Sequence, residues 1–274
     1  MTRTKETAPR RVRPRTWATL SIAGAALGAA VTGAAAAVPP VAPQGGEQLW
    51  RIQAEGGEAG EGGMVAEAAP ELAYLGRLAL VEGHIRGAVL LYDAGLRDEA
   101  VGLAGHPEAE MMDEVRADLA ARGKADFSAT LDAVGAAMAE GADTAAVAAA
   151  LDRLTAAVAA AGVVPDITSR LRADLIVALT RAAAQEYEGG IKDGAVDDLF
   201  AYVEAQGFIA VARDQAAMLA ADAAAADVAA RIDAALAATG SVFGGLETGR
   251  PLAGDPGVIY SAAATAELAA YRLK

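Results

Sequence analysis

Residues 70–95 read PELAYLGRLALVEGHIRGAVLLYDAG, and this stretch decides the fold. Leu72, Leu75, Leu78, Glu82, Ile85, Val89 and Tyr92 recur at steps of three and four, which is the stripe of one helical face. Leu80, Val81, Ala88 and Leu91 occupy the opposite side. A helix that is apolar nearly all round is surrounded by other elements rather than laid on a surface. Pro70 suits a first helical turn, Glu71 complements the positive helix end, and Gly95 is a stop signal. The segment therefore predicts a buried central helix of about 25 residues, the number the spacing itself spans.

Outward from this helix the pattern repeats in shorter form. A short helical piece near Arg97–Leu103 is interrupted by Gly105-His106-Pro107, and Glu108–Arg122 reads as the next helix, closed by Gly123. Further helices are expected near Asp126–Glu140, Thr144–Ala161, Asp166–Glu188, Val196–Ala221, Ala224–Ala237 and Ser261–Arg272. Their joints carry Gly, Pro and Asp, and alternating strand-like runs are scarce. Alanine supplies much of the 54% hydrophobic content while aromatics make up only 4%, so the core must rest on many close, modest contacts. Short links between helices favour antiparallel neighbours. The expected class is all-α, an up-and-down antiparallel helical bundle, with two similar helical halves at about 64–162 and 163–274.

The N-terminal end reads differently. Six of the 23 basic side chains and one of the 36 acidic ones lie in residues 1–37, which leaves 17 basic against 35 acidic residues, a balance of −18, for the rest. Basic residues up to Arg15 precede an uncharged run from Trp17 to Ala37, followed by Val38-Pro39-Pro40. This is the layout of a secretory signal, and the run is also long enough for an uncleaved membrane anchor. Residues 38–63 form a Gly- and Pro-rich acidic lead-in, readable as a linker or as an acidic loop over a cation, and 64–274 the bundle domain. The localisation expected is periplasmic, with inner-membrane anchoring as the alternative. The acidic body repels nucleic acid and attracts cations, and it also serves solubility.

The absence of cysteine excludes disulfides, thiolate zinc sites and iron–sulfur clusters. No Walker loop, Gly-x-Ser-x-Gly or His-Glu-x-x-His motif is present, which argues against an enzyme and for a binding protein. Only two histidines exist, His84 and His106. His84, beside Glu82 in the apolar helix, reads either as a hydrogen-bonded core histidine or as a ligand. His106 precedes Pro107, and Glu110 lies four residues on; the pair reads either as a capping turn or as ligands at i and i+4.

Several motifs carry a resemblance. Glu55–Gly63, Arg77–His84, Leu91–Gly95 and His106-Pro107-Glu108-Ala109-Glu110 resemble a group of uncharacterised exported bacterial helical proteins. Glu186-Tyr187-Glu188-Gly189-Gly190-Ile191-Lys192-Asp193-Gly194, with Tyr202-Val203-Glu204 and Gly207-Phe208, is similar to a segment of the exported helical domain attached to bacterial iron permeases. More distantly the chain resembles imelysin-like and EfeO-like proteins. The resemblance implies a transition-metal ion, iron favoured, with His84, His106 and Glu110 as ligands and Glu82 and Glu186 as outer candidates. The implied role is metal binding in uptake or homeostasis, the partner being the metal ion or a membrane or periplasmic protein. The alternative is a non-catalytic, membrane-anchored structural or interaction subunit.

Overall fold

Why the central segment folds as expected is visible in its burial. In the computed structural model, which describes residues 69–165, 167–246, 249 and 254–273, helix α1 runs Pro70–Asp93. Seventeen of its 24 residues are buried, on every side, so it has no solvent face. Gly95 takes φ 82°; the Leu96 amide donates to the Leu91 carbonyl and the Gly95 amide to that of Tyr92. That double bond is the Schellman closure, available to a residue without Cβ strain. Gly123 closes its helix in the same way. The segments 1–37 and 38–63 lie outside the described residues.

The chain continues through α2 (Arg97–Ala104), α3 (His106–Glu110), α4 (Met112–Ala121), α5 (Ser128–Ala139) and α6 (Thr144–Ala161). It then forms α7 (Ser169–Gly190), a two-stranded ribbon of β1 (Ile191–Lys192) and β2 (Ala195–Val196), α8 (Leu199–Ala220), α9 (Ala226–Ala238) and α10 (Gly257–Ala270). The class is all-α and bundled as expected. Helices α7 and α8 make the most extensive pairing, α1 lies against α8, α10 covers α7, and α9 closes on both α8 and α10. Helices α5 and α6 pair with each other and join α1 and α2 at its other side. Asp143, Thr168 and Asp198 accept backbone N–H bonds at the starts of α6, α7 and α8.

Two details depart from the expectations. The helix expected over Glu108–Arg122 is broken at Met111, whose φ of −142° is not helical. Consecutive residues of one helix point about 100° apart, yet Met111 and Met112 are both buried, and the break turns both inward. Near Gly189-Gly190 the helix runs on through both glycines and ends in an antiparallel ribbon pairing Ile191 with Val196 and Lys192 with Ala195. Asp193 and Gly194, at φ 52° and 76°, form its turn, the Asp-Gly pair that a two-residue hairpin favours.

Candidate metal centre

The site is set by how closely two helices cross. A Cβ placed on Gly207 of α8 would stand 2.0 Å from the Gly83 carbonyl oxygen of α1, and one on Gly83 would stand 2.3 Å from the Phe208 ring. Only glycines allow this backbone-to-backbone contact. The residues beside them follow: His84 meets the edge of Phe208, with ring centroids 5.2 Å apart. One turn earlier on α8 the same face presents Glu204, and a further turn earlier Phe200. Phe200 packs edge-on against His106, again at 5.2 Å. The stripe Phe200–Glu204–Phe208 thus places one carboxylate between two rings that hold the two histidines.

The third element is α3. Its five residues carry His106 and Glu110 one turn apart, so both face α1 and α8. His84 Nε2 lies 3.6 Å from Glu110 Oε2 and 3.6 Å from Glu204 Oε1. His106 Nδ1 lies 3.6 Å from Glu110 Oε1 and donates to Glu204 Oε1 at 3.2 Å. Two imidazoles and two carboxylates therefore alternate around a ring. The side chains of His84 and Glu204 are 1% and 8% exposed, those of His106 and Glu110 30% and 27%, so the ring is closed towards α1 and α8 and open at α3.

The tautomer of His84 is fixed by geometry. Its Nδ1 lies 2.8 Å from the Leu80 carbonyl oxygen, which can only accept, so Nδ1 carries the proton. In the neutral ring Nε2 then presents a lone pair towards the two carboxylates. A backbone carbonyl holding the second ring nitrogen is also how metal-binding histidines are oriented. The hydrogen bond from His106 to Glu204 is the main influence that raises the His106 pKa above 6.5; burial and the nearby His84 oppose it.

Among the described residues no group of three or more His, Asp or Glu side chains is placed to hold a metal ion. The four His–Glu approaches span 3.2–3.6 Å, through both oxygens of Glu110 and through Oε1 of Glu204. The two imidazole rings have centroids 6.5 Å apart and are tilted by 58°.

Of the residues singled out in the sequence, His84, His106 and Glu110 meet in this ring. Glu82, two positions before His84, faces another side: it accepts from Arg86 at 2.7 Å and from Thr155 at 3.0 Å. Glu186 sits half-buried near the end of α7, and the described contacts of the histidine pair run to Glu110 and Glu204. Glu204 was not singled out. Its signal was a lone acid midway between Phe200 and Phe208 on the inner face of an apolar helix.

Comparison with known proteins gives a family match for the C-terminal part. Residues 165–269 match the model of the iron permease-associated 4-helix bundle domain. The match spans α7 to α10 and includes Glu204, while His84, His106 and Glu110 lie before it. No curated protein and no solved structure matches the chain. The C-terminal part of this chain, over helices α7 to α10, resembles the iron permease-associated 4-helix bundle domain.

Proposed function

We propose that the protein is a non-enzymatic, exported binding module that holds a transition-metal ion, iron favoured, through His84, His106, Glu110 and Glu204, in uptake or homeostasis alongside a membrane permease. The observation that carries this reading is the ring itself. Two carboxylates stand within 3.6 Å of a buried imidazole nitrogen whose partner nitrogen already donates to a carbonyl. Two negative charges gathered at a half-buried place favour a cation or protons beside them. A divalent ion would cancel both. Imidazole nitrogen with carboxylate oxygen suits iron, zinc or manganese, and the likeness to the permease-associated domain favours iron. The partial exposure at α3 leaves an entry and exit side, as cargo requires. Export rests on the reading of residues 1–37.

The test is metal content by mass spectrometry on protein purified without chelator, with iron, zinc and manganese titrations of the metal-free protein. One ion per chain is expected, lost in the His84→Ala/His106→Ala double variant and weakened at least tenfold in Glu204→Gln. A folded wild-type protein that takes up none of these ions would overturn the proposal.

A second reading, a docking subunit of a membrane complex, draws on Tyr260, Leu268 and Tyr271, which expose large apolar surface on and just after α10. It predicts that Leu268→Lys abolishes association with membranes or a permease while metal content is unchanged.

A further inference from the structure

On the side of α1 opposite the ring, a cleft of about 300 Å³ opens between α1, α6, α7 and α8. Its walls are aliphatic: Leu75 and Leu78 from α1, Val158 from α6, Leu175 from α7 and Val211 from α8, with no aromatic ring among the lining residues. The acids that reach it are already engaged. Glu82 and Asp214 both accept from Arg86, and Glu82 also from Thr155.

Arg172 lines the same cleft and is different. Its Nη1 donates to the Gln215 side-chain oxygen at 2.5 Å and lies 3.2 Å from the Met218 sulfur. Among the described residues it has no carboxylate partner, and Nε and Nη2 have no described acceptor. A guanidinium carries five donors in a planar fork matched to a carboxylate. Most arginines around it are satisfied: Arg86 by Glu82 and Asp214, Arg170 by Asp174, Arg181 by Glu267. Burial lowers the Arg172 pKa, with no acid among the described residues acting against it. Arg172 also sits at the fourth position of α7, a 22-residue helix with no acid in its first turn, so the positive helix end adds to its charge.

We propose that this cleft binds a single-chain aliphatic carboxylate. The head group pairs with the free edge of the Arg172 guanidinium beside the Gln215 amide, and the alkyl tail lies along Leu75, Leu78, Val158, Leu175 and Val211. The size lies at the lower end of small-molecule sites, a mostly apolar cavity with a few placed polar groups. The Arg172 guanidinium, without a carboxylate partner among the described residues, defines the head; aliphatic walls without an aromatic ring define the tail. The inference does not depend on the metal proposal, because no residue of the ring lines the cleft.

The experiment is titration calorimetry of the full chain with hexanoate, octanoate, decanoate and decanol, below their aggregation concentrations. Decanoate is expected to bind one to one. Each added methylene should tighten binding about fourfold, the factor equivalent to about 0.8 kcal/mol per buried CH₂. Arg172→Gln should weaken decanoate at least tenfold without changing decanol. Ala159→Trp, at an exposed position on the rim, should block both ligands in a protein whose circular dichroism is unchanged. Absence of decanoate binding by the wild-type chain overturns the proposal. So does equal affinity for decanol and decanoate, or decanoate binding that Arg172→Gln leaves intact.

Discussion

Replacing Gly207 by alanine should unfold the α1–α8 crossing from within. The new Cβ would stand 2.0 Å from the Gly83 carbonyl oxygen, 2.9 Å from the Gly83 carbonyl carbon and 3.1 Å from the Gly87 nitrogen. All three are backbone atoms, so no side chain can rotate away, and the two helices must part by about 1 Å. A gap of that size forfeits about a quarter to a half of the dispersion energy of the contacts lining it. Overpacking of this kind costs about 1–3 kcal/mol, occasionally more. Alanine returns about 1 kcal/mol as the better helix former. With contact this short the cost lies at the upper end of that range, so the expected net loss is about 1–2 kcal/mol, a fall in Tm of about 2–8 °C for a domain of this length. The control is Gly189→Ala: the same substitution late in α7, where a Cβ meets nothing within 4 Å. There alanine should stabilise by a few tenths to about 1 kcal/mol. Urea and thermal denaturation followed by circular dichroism read both variants. Equal shifts in the two, or a Gly207→Ala protein as stable as wild type, would refute the claim that glycine at 207 permits the crossing.

Further outcomes follow from single contacts. The His106 pKa is raised above 6.5, chiefly by its bond to Glu204. The folded metal-free protein therefore holds this proton more tightly than the unfolded chain. The stabilisation is complete below about pH 6.5 and is lost as pH rises through the raised value. The urea midpoint of metal-free protein should fall between pH 6 and pH 8, with Glu204→Gln flattening that slope. Tyr74 donates to the Ala161 carbonyl at 2.9 Å, fastening the end of α6 to α1. Tyr74→Phe leaves that buried carbonyl unsatisfied and should cost about 1–2 kcal/mol in urea unfolding. Asp198 accepts the Phe200 and Ala201 amides at 2.9 and 3.3 Å, and Asp198→Ala should cost about 1 kcal/mol, measured in the same way.

The helix pattern was legible because it is written locally. A period of three and four apolar residues, a proline at one end and a glycine at the other suffice to specify α1 to within two residues, and Thr144–Ala161 appears as expected. The break at Met111 and the ribbon after Gly190 were not legible. Each answers a demand from elsewhere: the burial of two adjacent methionines, and the packing of Gly190 where a Cβ would lie 2.9 Å from the Tyr202 nitrogen.

The candidate site divides along the same line. His84, His106 and Glu110 could be singled out because histidine is scarce in this chain and a spacing of four places two side chains on one helical face. Glu204 is one of 36 acidic residues, and its one local mark, a place midway between Phe200 and Phe208 on an apolar face, does not say which side chain it meets. It becomes a partner of the histidines only because Gly83 and Gly207 let two backbones touch, which sets the register of α1 against α8. The sequence by itself determined which segments are helices, which faces are apolar and which residue types can bind a cation, since these depend on neighbours within a turn or two. Which acid meets which histidine, and that Glu82 turns instead to Arg86 and Thr155, was decided only by the tertiary structure, because helix crossing geometry depends on side-chain volume at contacts more than a hundred residues apart.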